Sequence, residues 1–252
     1  MMSSAVLGRL CWPQLADRSV TLVVPLGAVE QHGPHLPLDT DSRIATAVAA
    51  AAVEGLSVGE LSVGERPDSV NGPSAQTLLA PTLSYGASGE HEGFPGTVSI
   101  GLEALKLVLV EYGRSACRWA SRVVFVNGHG GNARAVLAAV RLLRYEGRDV
   151  AWFPCGSPAA DAHAGRTETS VLLHLSPDDV RRDEVATGNS APIDTLLPTL
   201  RAGGVKAVSP NGILGDPTDA DDELGRKLTH AMVETLVAAM TKWSVDDMGR
   251  LT

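Results

Sequence analysis

Cysteine is scarce in this chain of 252 residues, and its three cysteines lie far apart in the sequence. Cys11, Cys117 and Cys155 are odd in number, so they do not form the paired framework that stabilises many secreted proteins. The first residues also lack the basic-then-apolar pattern of a secretion signal. We therefore expect a cytoplasmic protein whose thiols stay reduced.

Two further absences narrow the class of protein. No apolar run is long enough to span a membrane, and no cluster of lysines and arginines offers a footprint for nucleic acid. The formal net charge is -8, and the sequence pI is about 5.3. Membrane and nucleic-acid partners are therefore not expected. Hydrophobic residues make up 44% of the chain, which is enough for the core of one domain.

Short apolar runs alternate with segments whose apolar residues recur at helical spacing. We predict strands at 20–26, 78–83, 122–126 and 150–153, and helices at 42–53, 102–119, 133–145, 167–175 and 223–243. This alternation is typical of an α/β fold in which helices cover both faces of a mainly parallel sheet. We expect a single domain over residues 1–252.

One segment breaks this alternation. Residues 56–60, Leu-Ser-Val-Gly-Glu, are repeated at once as residues 61–65. We interpret residues 55–75 as a mobile surface insertion, because the repeat is too short to be a structural unit and long loops are uncommon inside compact domains. A lid over an active site is the alternative interpretation.

The densest group of polar side chains follows the first predicted strand. It holds two histidines and three carboxylates, namely Glu30, His32, His35, Asp39 and Asp41. Carboxylate and imidazole ligands at the exit of a buried strand suit a catalytic zinc, iron or manganese ion. This segment therefore predicts a metal-dependent enzyme.

Three later segments carry further candidate residues, each after a predicted strand. They are residues 89–97 with Glu90 and His91, residues 127–132 with His129, and residues 161–170 with His163 and Glu168. In an open α/β sheet such loops meet at one edge. Each segment also has a simpler interpretation, as a self-paired loop, a glycine-rich turn or a helix-terminal carboxylate.

Taken together, residues 30–41, 90–97, 127–132 and 163–170 resemble the signature motifs of the creatininase family, and they stand in that family's order. The resemblance implies a metal-dependent amidohydrolase with a three-layer α/β/α fold and a mainly parallel sheet. It also implies a homo-oligomer, often a hexamer.

The resemblance assigns roles to individual residues. Four residues match the family's metal ligands: Glu30, His32, Asp41 and His129. Asp41 matches the carboxylate that bridges two divalent ions per subunit, for which Zn²⁺, Fe²⁺ and Mn²⁺ are all suitable. Creatininase has a further glutamate ligand two residues after the matching histidine, where this chain has Gly131. We expect Glu168 to replace that ligand.

The catalytic step and the substrate are also implied by resemblance. His163 matches a family histidine beside the reacting group, so we expect His163, with Glu168 as the alternative, to transfer a proton after metal-activated water attacks the amide. Residues 109–122 and 212–217 resemble a peptidase branch of the family, which releases a C-terminal Val-Tyr dipeptide from a modified precursor peptide. Two alternatives remain open: a hydrolase of a small cyclic amide or formamide, and a metal-binding partner protein without catalysis.

Overall fold

The structure, a computed structural model, describes residues 5–62, 75–156 and 161–252. Its centre is a sheet of four parallel strands: β1 (Ser19–Leu26), β2 (Ala75–Leu79), β3 (Arg122–Asn127) and β4 (Val150–Pro154). The strands stand in the order β2-β1-β3-β4. Because all of them run in the same direction, their carboxyl ends lie at one edge of the sheet.

Helices cover both faces of this sheet. Those in the described residues are α1 (Thr40–Ser62), α2 (Gly101–Ala116), α3 (Ala133–Tyr145), α4 (Arg166–Leu175), α5 (Ile193–Val208) and α6 (Asp222–Lys242). Helices α2 and α3 pack on one face, whereas α1, α4 and α6 pack on the other. Helix α5 lies against the short 3-10 turn at Gly89–His91, in the loop after β2.

The strands are apolar on both sides because both faces of the sheet are covered. Val23 and Val124 belong to the core beneath α1, α4 and α6, while Leu22 and Phe125 belong to the core beneath α2 and α3. All four side chains are buried. Such continuous apolar runs are typical of parallel strands between two helical layers. The predicted three-layer α/β/α fold is therefore confirmed.

The main difference from the sequence prediction is α5, where no helix is expected. Pro198 lies inside this helix, and Gly204 has a φ of 71°. Both residue types normally interrupt a helical pattern, which explains why the sequence does not indicate the element. Strand β2 also ends at Leu79 rather than at residue 83, since Pro81 cannot donate to a strand ladder.

Helix α1 is longer than predicted and continues to Ser62, into the first residues of the expected insertion. Residues 63–74 of that insertion lie outside the described residues, so the insertion remains a prediction. Within the three described ranges, no helix combines the length and the apolar character needed to cross a membrane.

Candidate metal centre

The loops that follow all four strands meet at one place. Strand β1 leads to Glu30 and His32, β2 leads to His91, β3 leads to His129, and the chain after β4 returns with His163. All five side chains are buried. The parallel sheet therefore brings residues from distant parts of the sequence into one cluster.

Two helix N-termini add carboxylates to this cluster. Asp41 lies in the first turn of α1, and Glu168 lies in the first turn of α4. The positive end of each helix dipole favours a negative side chain at such a position. The Ala164 N–H also donates to Glu168 Oε2 at 2.6 Å, which holds the carboxylate in place.

Asn132 ties three of the loops together. Its side-chain amide donates to the Gly27 carbonyl at 2.9 Å and accepts a hydrogen bond from the Ala87 N–H at 2.8 Å. Gly128 lets the same segment approach α1 closely, since a Cβ atom there would lie 2.5 Å from the Asp41 carbonyl oxygen. The asparagine- and glycine-rich segment therefore docks the loop after β3 against α1 and against the loops after β1 and β2.

Asp41 stands between two sides of the cluster. Its Oδ2 atom lies 3.3 Å from His129 Nδ1, and its Oδ1 atom lies 3.2 Å from His32 Nε2. Glu30 Oε2 lies 3.3 Å from His129 Nε2, whereas Glu168 Oε2 lies 3.9 Å from His32 Nε2. Asp41 therefore contacts the two sides through different oxygen atoms, an arrangement that would allow one carboxylate to serve both sides.

Three sets of side chains are close enough to hold an ion, since the potential ligand atoms in each set lie within 4.8 Å of one another. The inner group is Glu30, Asp41 and His129. The outer group is His32, His163 and Glu168. A third set consists of Glu30, His91 and His163.

Several buried oxygen atoms of the cluster have no hydrogen-bond partner among the described residues. They are both carboxylate oxygens of Glu30 and Oδ2 of Asp41. A buried carboxylate oxygen without a partner is costly. A divalent cation would satisfy these atoms, and mixed carboxylate and imidazole donors suit zinc, iron or manganese. The residues present therefore fit a metal centre.

Protons compete with a cation for the same atoms. Burial and the neighbouring Asp41 carboxylate raise the pKa of Glu30 from its usual 4.5 to about 7. Burial lowers the pKa of His32, but Asp41 outweighs that effect and raises the pKa to about 10. Burial and two neighbouring histidines hold the pKa of His163 well below its usual value. Metal binding at this cluster is therefore expected to release protons.

Glu90 occupies the space beside His129 that a side chain at position 131 would need. A Cβ atom on Gly131 would lie 2.5 Å from Glu90 Oε1 and 2.3 Å from His129 Nε2. Glu90 Oε1 itself lies 3.5 Å from His129 Nε2. Two carboxylates therefore approach the cluster where the sequence indicates one: Glu168 next to His32, and Glu90 next to His129.

The sequence indicates Glu90 and His91 as candidate residues but assigns neither of them a role in the metal centre. His91 Nε2 lies 3.3 Å from Glu30 Oε1, so this ring faces the cluster instead of pairing with its neighbour in the sequence. The signal that could have found both residues is their place in a loop after a strand, in one of the four motifs that carry the family resemblance.

His35 and Asp39 lie in the loop after β1 but outside the cluster. The Nε2 atom of His35 lies 2.8 Å from Thr169 Oγ1, and Asp39 forms an ion pair with Arg43. Among the described residues, the potential ligand sets include neither side chain. Both side chains therefore attach the loop after β1 to neighbouring helices, His35 to α4 and Asp39 to α1.

A pocket of about 490 Å³ opens beside Glu90 and Gly131. Its wall includes the apolar side chains of Ile100 and Leu102. The Glu90 side chain is 30% exposed, and the Glu168 side chain is 24% exposed, whereas the other acidic side chains of the cluster are sealed. Solvent therefore reaches the cluster beside these two carboxylates.

Comparisons with known proteins agree with this geometry. The family model described as "Creatininase: Creatinine amidohydrolase" matches residues 8–240. The chain belongs to the creatininase family. In this creatininase-family chain, the matched range includes all three potential ligand sets. A relative described as "Mycofactocin precursor peptide peptidase", from Mycolicibacterium smegmatis, is 56% identical over 246 residues, which cover 98% of this chain and 94% of the relative.

Solved structures of creatininases have the same fold. A mutant creatininase described as the Zn-Zn type superposes with a TM-score of 0.75 at 26% identity, and the match covers 95% of this chain and 98% of that one. A structure described as "Creatininase Mn" has a TM-score of 0.74 at 25% identity, with the same coverage of both chains. The chain is therefore a creatininase-family amidohydrolase with the family's α/β/α fold.

Proposed function

We propose that this chain is a metal-dependent peptidase that cleaves the modified mycofactocin precursor peptide and releases its C-terminal Val-Tyr dipeptide. The observation that carries the proposal is the 56% identity, over 98% of the chain, to the relative that is named for a peptidase of that peptide. The site supports it, because a buried set of carboxylates and imidazoles is able to hold the ions that metal-assisted amide hydrolysis uses.

The proposed ligands follow from the inner and outer groups. Glu30, Asp41 and His129 would hold one divalent ion, and His32 and Glu168 would hold a second one together with Asp41. Three carboxylates and two neutral imidazoles around two divalent ions leave about one positive charge. Such ions, when bound, polarise a carbonyl group and lower the pKa of water. We propose zinc or iron, with manganese as the alternative.

His163 is the proposed proton carrier. Its ring is buried, and its pKa is held well below the usual value, so the ring is neutral at pH 7. Its Nδ1 atom lies inside the cluster, 3.6 Å from Glu30 Oε1. The neutral ring takes a proton from the attacking water and returns it to the leaving amine as the C–N bond breaks. Glu168 then serves as a ligand rather than as the proton donor.

The peptide is proposed to enter beside Glu90 or Glu168, where the cluster reaches solvent. A homo-oligomer, for which the family resemblance suggests a hexamer, and a cytoplasmic location remain predictions from the sequence. Light scattering on the purified chain measures the first of these directly.

Incubation of the metal-loaded chain with the modified precursor peptide tests the proposal. Mass spectrometry should show release of the dipeptide, and a chelator should stop it. The variant Asp41→Asn should release none. The matched control Asp39→Asn, on the same loop but outside the ligand sets, should keep the activity.

Two other outcomes would contradict the proposal in different ways. Hydrolysis of creatinine, with the peptide left intact, would support a hydrolase of small cyclic amides. A full complement of metal without hydrolysis of either substrate would support a binding protein.

A further inference from the structure

Gln31 lies between two histidines of the cluster and is itself buried. Its side-chain nitrogen, Nε2, lies 2.9 Å from His91 Nδ1 and 3.0 Å from His163 Nε2. A single amide side chain therefore contacts two rings that face the candidate ligands.

Two backbone groups determine which end of the Gln31 amide is nitrogen. The Gly33 N–H donates to Gln31 Oε1 at 2.8 Å, and Gln31 Nε2 donates to the Gly212 carbonyl at 2.9 Å. Exchanging the two ends of the amide would place donor against donor and acceptor against acceptor. The orientation therefore follows from backbone groups whose roles cannot change, without any assumption about the histidines.

Gly212 makes this contact possible. Its φ is 83°, and a Cβ atom there would lie 1.9 Å from Gln31 Oε1. Two residues further on, the Leu214 N–H donates to the His163 carbonyl at 2.9 Å, and the His163 N–H donates to the Leu214 carbonyl at 3.2 Å. One short segment therefore holds Gln31 and His163 in place relative to each other.

Burial lowers the pKa of His91 to about 3 and holds that of His163 well below its usual value, so both rings are neutral and their hydrogen positions can be counted. His163 Nε2 lies 2.7 Å from the backbone carbonyl of Gln31, which only accepts, so Nε2 carries the ring hydrogen. One hydrogen of the Gln31 amide goes to Gly212, and the other goes to His91 Nδ1, since His163 Nε2 is already a donor. His91 must therefore carry its own hydrogen on Nε2, which lies 3.3 Å from Glu30 Oε1.

We propose that Gln31 is a positioning residue that sets the tautomers of His91 and His163, through its side chain and its backbone carbonyl respectively. His91 then directs its Nε2 hydrogen toward Glu30 Oε1, 3.3 Å away, and orients this ligand electrostatically instead of binding an ion itself. His163 presents the lone pair on Nδ1 to the cluster. The set of Glu30, His91 and His163 is then not a metal site. The inner group and the outer group remain as the two candidate sites.

This inference rests on the proposed roles of Glu30 and His163, but it is tested without substrate. In NMR spectra of the full-length, zinc-loaded chain with ¹⁵N-labelled histidine, protonated, unprotonated and metal-bound ring nitrogens have different shifts. We expect His91 to carry hydrogen on Nε2 and to bind no zinc. The Nε2 atom of His163 should also carry hydrogen.

The variant Gln31→Glu gives the sharpest comparison. It keeps the size of the side chain and the acceptor for the Gly33 N–H, but it puts an acceptor beside His91 Nδ1. We expect the His91 hydrogen to move to Nδ1. His163 should keep its hydrogen on Nε2, because the backbone carbonyl of residue 31 is unchanged.

A second variant, Gln31→Met, removes both the donor and the acceptor at similar volume. Here His91 should populate both tautomers, again with His163 unchanged. Zinc affinity should fall by about 10- to 100-fold in both variants, as is usual when a partner of a metal ligand is lost.

The inference is overturned if wild-type His91 binds zinc or carries its hydrogen on Nδ1. It is also overturned if neither variant changes His91. Failure of dipeptide release in the separate peptide assay would contradict the proposed function but would not change the spectra expected here. Failure of the proposed function and failure of this inference are therefore distinguishable.

Discussion

The inner and outer groups of the site differ in their access to solvent. The inner residues Glu30, Asp41 and His129 are at most 6% exposed, whereas the Glu168 side chain of the outer group is 24% exposed. Inner carboxylate oxygens have no hydrogen-bond partner in the described part of the chain, while Glu168 accepts a backbone hydrogen bond from Ala164. We therefore expect a cation to balance the charge of the sealed inner group, and we expect water and substrate to approach on the side of the outer group.

Replacement of Asp41 should have the largest effect, because this residue contacts both groups. In Asp41→Asn both ions should be lost, and peptide cleavage should fall by about 10³-fold or more, since polarisation by a metal is worth several kcal/mol. Elemental analysis and the peptide assay measure the two effects. Retention of both ions would contradict the bridging role, and Asp39→Asn is the matched control.

Removal of metal should make the stability of the inner group depend on pH. The folded-state pKa of Glu30 is raised to about 7 from its usual 4.5. A raised pKa contributes stability that is fully present below pH 4.5 and is lost as the pH rises through 7, and a shift of this size corresponds to roughly 3 kcal/mol. Thermal unfolding of the metal-free chain, prepared with a chelator, should show this loss of stability. The metal-loaded chain should show no such loss.

The variant Glu30→Gln is the control for this prediction, because its side chain does not ionise. The metal-free variant should lose less stability between pH 4.5 and 7 than the metal-free wild type. An equal loss in both would rule out Glu30 as the source. The pKa of His32 is raised to about 10 from 6.5. Its contribution to stability is therefore present below pH 6.5 and is lost as the pH rises through 10.

Local motifs predict the ligands better than they predict the contacts around them. The group of carboxylates and histidines after β1 indicates a metal site, and the family resemblance selects Glu30, His32 and Asp41 as its expected ligands. The contacts of the Glu90 and Gln31 side chains could not be predicted in this way. Their contacts with histidines join segments that lie far apart in the sequence, and only the sheet order brings these segments together.

The two partly exposed carboxylates, Glu168 and Glu90, should contribute unequally to metal binding. Glu168→Gln removes a proposed ligand, so the chain should keep one ion instead of two and lose about 100-fold in affinity at the outer group. Glu90→Gln removes only a neighbour of His129 and should keep both ions, with a loss of about tenfold. Zinc titrations against a competing chelator measure both. A larger loss of zinc affinity in Glu90→Gln than in Glu168→Gln would show that Glu90, not Glu168, replaces the ligand missing at Gly131.

The smallest effect is expected at the N-terminus of α6, a helix that packs against the one that carries Glu168. The Asp221 side chain caps α6 by accepting a hydrogen bond from the Leu224 N–H at 2.8 Å. Asp221→Ala should therefore cost about 1 kcal/mol and lower the melting temperature by about 2–4 °C. Metal content and peptide cleavage should not change. Loss of the outer ion in this variant would mean that the outer group depends on the stability of its helical layer rather than on Glu168 itself.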